Sequence, residues 1–121
     1  MNDKYKTIDI TDRTFDFGVR IVKLVNQMPR TPAGFSIGGQ TIRSGTSIGA
    51  NIQEAQSAHS RKEFIYKMNI ALKEARETEY WLKIIIQVDM LNTSVVKALI
   101  IENEEIIKIL STIIKKTKSN S

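Results

Sequence analysis

Residues 60–89 read SRKEFIYKMNIALKEARETEYWLKIIIQVD, and this stretch decides the fold. Ser60 followed three residues later by Glu63 spells a capping box, in which the hydroxyl and the carboxylate satisfy backbone N–H groups that a starting helix leaves open. No glycine or proline interrupts the run before Asp89. Phe64, Met68, Ala71, Ala75, Thr78, Leu82 and Ile86 recur at three- and four-residue steps, the spacing of one helix face. A helix this long with a single apolar stripe must bury that stripe against other helices.

The flanking sequence supplies them. Downstream, Leu91-Asn92-Thr93-Ser94 reads as a turn with capping residues, and Val96, Leu99, Asn103, Ile106, Leu110 and Ile113 then follow the same alternating step. This fourth segment runs out into Lys115, Lys116 and Lys118, with 117–121 expected as a flexible tail. Upstream, a second helix is expected over roughly Ser36 to Gln56, although Gly38, Gly39, Gly45 and Gly49 each disfavour it by ~1 kcal/mol relative to alanine. Ile37, Thr41, Ile48, Ile52 and Ala55 share one face there, and Gly45 beside them permits a close helix–helix approach. A first helix is expected from Thr11 as N-cap to Met28, stopped by Pro29 and Pro32 and preceded by an N-terminal arm, 1–10. It carries two adjacent apolar stripes, one with Phe15, Gly18, Val19, Val22 and Val25, the other with Phe17, Ile21, Leu24 and Met28. Nineteen isoleucines against six leucines would suit strands by propensity, but their spacing in the last two segments is helical. The expectation is one domain, 1–121, all-α, an up-and-down four-helix bundle.

Composition removes most chemistry. Zero cysteines exclude disulfides, thiolate metal sites and thiol catalysis, and with His59 as the lone histidine no site needing two imidazoles forms within one chain. His59 stands beside serines at a helix junction, where a solvated capping-region residue is expected rather than a base. No catalytic residue, metal site or cofactor is assigned. Gly34 to Thr41 imitates a phosphate loop, but Gln40 stands where that motif needs its lysine, and no strand precedes it. The longest apolar stretches are four residues, as in Ala98 to Ile101, far short of the ~20 that span a bilayer. The first fifteen residues lack the cationic start and apolar run of a signal peptide, so a cytoplasmic protein without a membrane partner is expected. A net charge of +5 favours an anionic partner such as nucleic acid.

Two polar constellations stand out. On the second segment, Arg43, Ser47, Asn51 and Glu54 form a ladder beside the core stripe, while Glu74, Glu77 and Glu79 lie on flanks of the third. Arg43 is expected to pair with a glutamate of the third helix, and Asn51 to make buried hydrogen bonds that fix helix register. On the outward face of the third helix, Lys62, Tyr66, Asn69, Lys73, Arg76, Tyr80, Lys83 and Gln87 share one arc with no acid among them. Such a strip can meet phosphates with its cations and stack bases on its rings; the alternative is a solvated face of the kind any bundle has.

The motif Gln40-x-x-Arg43-x-x-x-Ser47-Ile48-x-x-Asn51-Ile52-x-Glu54, then Lys62-Glu63-Phe64-Ile65, Ala71 and Glu77-x-Glu79-x-x-Leu82, resembles the four-helix-bundle proteins encoded in intervening sequences of bacterial 23S rRNA genes. The chain is also similar to the basic accessory variability proteins of diversity-generating retroelements, which bind RNA and a reverse transcriptase. The resemblance implies a left-handed up-and-down bundle, a homo-oligomer with the pentamer as expected form, and association with structured or ribosomal RNA. It departs at Gly49, where members often have proline, and after Glu54, where Ala55-Gln56 continue the chain instead of an early glycine. The functional expectation is a non-catalytic oligomeric RNA-binding protein; the alternative is a homo-oligomeric scaffold for another protein.

Overall fold

The computed structural model describes residues 2–120, with side chains from Ile10 to Asn120. Four helices follow one another, α1 (Asn2–Val25), α2 (Pro32–Ala55), α3 (Arg61–Gln87) and α4 (Thr93–Ser119). Each packs on its neighbours in chain order, and α4 closes the ring against α1 through the sparsest of the four seams. The diagonal backbones stay apart, leaving room for one side-chain core, as in an up-and-down four-helix bundle.

The stripes read from the sequence meet there. Phe17, Ile21 and Leu24 of α1, Ile48 and Ile52 of α2, Met68, Ala71, Ala75 and Leu82 of α3, and Val96, Leu99, Ile106 and Leu110 of α4 are buried. Two expected positions are displaced by one residue: Ile85 is buried where Ile86 was expected, and Ile114 where Ile113 was, both expected residues being half-buried. The first correction restores a strict seven-residue repeat on α3 (Met68, Ala75, Leu82 and Ala71, Thr78, Ile85), the pattern that keeps one seam facing partner helices that wind gently around each other.

Helix ends differ from the expectation in informative ways. The backbone of α1 is helical from Asn2, so Thr11 lies inside the helix and not at its cap, and the segment expected as an arm is part of α1. The helix ends at Val25, and the turn after it holds Gln27 and Met28 by backbone bonds to Leu24 and Val25, ahead of either proline. Pro32 instead opens α2, at the first helical position where its missing N–H is no loss, and the Thr31 hydroxyl caps the Gly34 N–H at 3.0 Å. The pseudo phosphate loop therefore lies within a helix. Half of the capping box of α3 forms as read, Ser60 Oγ accepting from Glu63 N at 3.0 Å, while Glu63 Oε1 reaches one residue further back and accepts from the His59 N–H at 2.8 Å in place of that of Ser60. The α3 C-terminus turns at Asp89, φ 57°, with Met90 N bonded to Ile85 O and Asp89 N to Ile86 O, a Schellman turn built without glycine. On α4, residues expected in the tail remain helical through Ser119.

Two glycines explain how α1 and α2 come together. A Cβ on Gly45 would stand 2.8 Å from Ile21 Cγ2, and one on Gly49 would stand 3.1 Å from the Thr14 carbonyl oxygen. Their absence of side chain lets the backbones approach, as Gly45 suggested in the sequence.

Candidate nucleic-acid interface

Helix α3 turns its core stripe inward and must turn the opposite arc to solvent. Lys62, Tyr66, Asn69, Lys73, Arg76, Tyr80, Lys83 and Gln87 are all exposed, over about 38 Å of helix at 1.5 Å per residue. Among the described residues Lys62, Lys73 and Arg76 take part in no ion pair, whereas Lys83 reaches Glu79 of its own helix at 3.3 Å. Glu79 sits toward the core side of the strip and lowers the net charge at that one step. Tyr66 and Tyr80 are 62% and 59% exposed, so their rings stand open to solvent beside the cations.

The ladder lies along the α2–α3 seam beside this strip. Arg43 donates from Nη1 to Glu74 Oε1 at 3.1 Å and from Nη2 to Glu77 Oε2, so the expected pairing with an α3 glutamate is made twice. Gln40 Oε1 accepts from Arg43 Nε at 3.2 Å and steadies the guanidinium from its own helix. Trp81 Nε1 donates to Glu77 Oε2 at 3.0 Å. Lys67, whose ammonium is held above its ordinary range by the hydrogen bond it donates to Glu54 at 2.8 Å and by that carboxylate's charge, closes the ladder at its far end. Asn51, expected to fix register across helices, instead bonds within α2, as does Ser47. Ser47 Oγ donates to Arg43 O at 2.6 Å and Asn51 Nδ2 to Ser47 O at 2.8 Å, both within α2, because each side chain finds its own helix's carbonyls closer than α3.

Register is fixed by other groups. Ser44 and Thr78 join their buried hydroxyls across α2–α3 at 2.9 Å, and Asn103 of α4 donates to the Ala75 carbonyl of α3 at 2.8 Å. Asn103 and Thr78 stood in the expected core stripes, so a polar residue inside an apolar stripe was the available signal. Across α4–α1, Arg13 clasps Glu102 through two bonds at 2.8 and 2.9 Å. Nothing in the local pattern marks that pair, whose members lie at opposite ends of the chain.

A different surface covers α1 and α2. Phe15, Val19 and Val22, with Gly18, Thr46, Gly49 and Ala50, line an open groove of about 530 Å³ that carries no charged side chain. Phe15 is 70% exposed. Phe15, Val19 and Val22 are the exposed members of the first α1 stripe, whose Gly18 is buried and whose Val25 packs against the core. Among the described residues no group of acids and histidine is placed to hold a metal ion, and no helix is long and apolar enough to cross a membrane.

The model of a protein family described as 23S rRNA-intervening sequence protein matches residues 6–112. The chain belongs to this family. A crystal structure of a protein of unknown function from the S23 ribosomal protein family of Bacteroides thetaiotaomicron is similar over 91% of this chain and 98% of that one, at 44% identity and a TM-score of 0.85. No curated protein matches the chain at a significant level. In this member of the 23S rRNA-intervening sequence family, six of the residues that carried the resemblance, Gln40, Arg43, Ser47, Asn51, Glu54 and Glu77, converge on the one ladder at the α2–α3 seam, while Ile48, Ile52, Ala71 and Leu82 belong to the core and Glu63 to the α3 cap. The ladder borders the basic-aromatic strip.

Proposed function

We propose that the protein is a non-catalytic, oligomeric RNA-binding protein of the cytoplasm that meets structured or ribosomal RNA with the outer face of α3. The observation that carries this reading is the strip itself, in which Lys62, Lys73 and Arg76 stand exposed without carboxylate partners and alternate with exposed Tyr66 and Tyr80. Unpaired cations along one helix neutralise phosphates at no cost in broken ion pairs, and membership of the 23S rRNA-intervening sequence family supports RNA as the polyanion. The interface requires no general base, nucleophile or metal.

Changing Lys73, Arg76 and Lys83 together to glutamine tests it. Affinity for every RNA should fall, and the slope of log affinity against log salt should flatten by about 2–3 if three phosphate contacts are lost. An unaltered isotherm would reject the strip.

Oligomerisation is supported by the apolar α1–α2 groove, since Phe15, Val19 and Val22 form an uncharged patch that a small bundle has too little interior to hide. The same groove favours the second reading, a homo-oligomeric scaffold that binds a protein and uses its basic strip for solubility. Light scattering decides the shared part: a mass well above 13.7 kDa is expected, with a pentamer as the stoichiometry the family resemblance implies. Salt-insensitive capture of a protein by a parent that binds no RNA would favour the scaffold.

A further inference from the structure

The ladder and the strip meet at one point. Arg43 of α2 and the Trp81 indole N–H both donate to Glu77 Oε2, and Tyr80 stands edge-on to the Trp81 ring, with centroids 5.0 Å apart and planes at 74°. We propose that Tyr80 and Trp81, braced from α2 by Arg43 through Glu77, form a base-stacking platform for single-stranded RNA within the α3 strip. The proposal rests on the RNA reading above and assigns it a substrate class and a centre.

The chemistry follows from what is held and what is free. The indole is pinned at Nε1, and its ring limits the neighbouring tyrosine along one edge, while more than half of Tyr80 faces solvent. A ring fixed before binding loses little rotamer freedom when a base stacks on it, so more of the stacking energy appears as affinity. Arg76, one turn before Tyr80, and Lys83, nearly one turn after it, place cations on either side for the phosphates that flank a stacked base. A duplex keeps its bases stacked on one another and offers no free base face at the rim, so the platform selects unpaired strands. Tyr66 repeats the pattern at about 21 Å along the helix, behind Lys62, but makes no ring contact or hydrogen bond among the described residues. Tyr80 is therefore the preorganised member and Arg43 a positioning residue.

Trp81 is the chain's single tryptophan, so its emission reports this place alone. The parent protein is titrated at low salt with a short mixed-sequence RNA strand, and separately with the duplex that strand forms with its complement. Single strands should quench or shift Trp81 emission, and duplex should not. Tyr80→Ala should weaken single-strand binding about tenfold or more and leave duplex binding near the parent's. Arg43→Ala should weaken single-strand binding in the parent but add nothing further in the Tyr80→Ala background, whereas direct contact of Arg43 with phosphate would give additive losses. Glu77→Gln, which keeps an acceptor for the indole but loses the charge that holds Arg43, gives the same comparison should Arg43→Ala unfold. Salt-dependent RNA binding with silent Trp81 emission and an unaffected Tyr80→Ala variant would overturn the platform while leaving the RNA-binding strip standing. Failure of the parent to bind either RNA at low salt would remove the strip and the platform together.

Discussion

Helix α2 is packed by shape on one side and by polar pairing on the other. Against α1 it offers Gly45 and Gly49, so close that a Cβ would collide, and outside that seam lies the uncharged groove of Phe15, Val19 and Val22. Against α3 it offers Ser44 to Thr78 and Arg43 to Glu74 and Glu77, and outside that seam lies the basic-aromatic strip. An apolar contact is non-directional and suits a surface that another protein chain covers, whereas directional pairs hold side chains in place beside a surface that must stay solvated until a charged ligand arrives. One helix thus separates a face suited to assembly from a face suited to RNA.

The shape-packed seam should be the more sensitive to volume. Gly45→Val drives a branched side chain into Ile21 and should destabilise the fold by ~1–3 kcal/mol, read from thermal or urea melts. Unchanged stability would mean that α1 and α2 are not seated so closely.

Arg43→Ala on the polar seam comes next. The arginine side chain is 47% exposed, and its partners Glu74 and Glu77 are 14% and 30% exposed, so the loss should fall at ~1–2 kcal/mol, between a solvated pair and a fully buried one. A melting midpoint identical to the parent's, with RNA affinity reduced, would move Arg43 from the seam to the ligand.

The long helices were legible because their signals are local. Ser60 and Glu63 mark the start of α3, and a repeat sustained from Met68 to Leu82 leaves little freedom in which face goes inward. Helix α2 begins at Pro32 and not near Ser36, because Pro32, taken in the sequence as a stop for the first helix, is a start, with Thr31 as its cap. Of the ladder, the Arg43 pairing was readable from charge and face, but the local bonds of Ser47 and Asn51 were not, since a short polar side chain reaches its own helix as easily as a neighbour's. The Arg13–Glu102 clasp depends on chain ends that only the closed bundle brings together.

Smaller effects sharpen the contrast. Gly39 faces open space with nothing within 4 Å of an added Cβ, so Gly39→Ala should raise stability by ~0.5–1 kcal/mol in the same melts, where Gly45→Val lowers it. Val19→Lys, on the exposed stripe, should change stability by less than ~0.5 kcal/mol in the isolated bundle, yet shift the light-scattering mass toward the monomer by placing a charge in the groove. An assembly indifferent to that charge would show that the groove is not its contact.

If RNA lies along the outer face of α3, lysine footprinting will show it. The protein is acetylated with and without saturating RNA at low salt, and modification at each lysine is read by mass spectrometry. Lys62, Lys73 and Lys83 should be protected, with Lys23 on α1 and Lys97 on α4 as reactive as in the free protein. Protection confined to α1 or α4, or the same reactivity at Lys62, Lys73 and Lys83 with and without RNA, would contradict that placement.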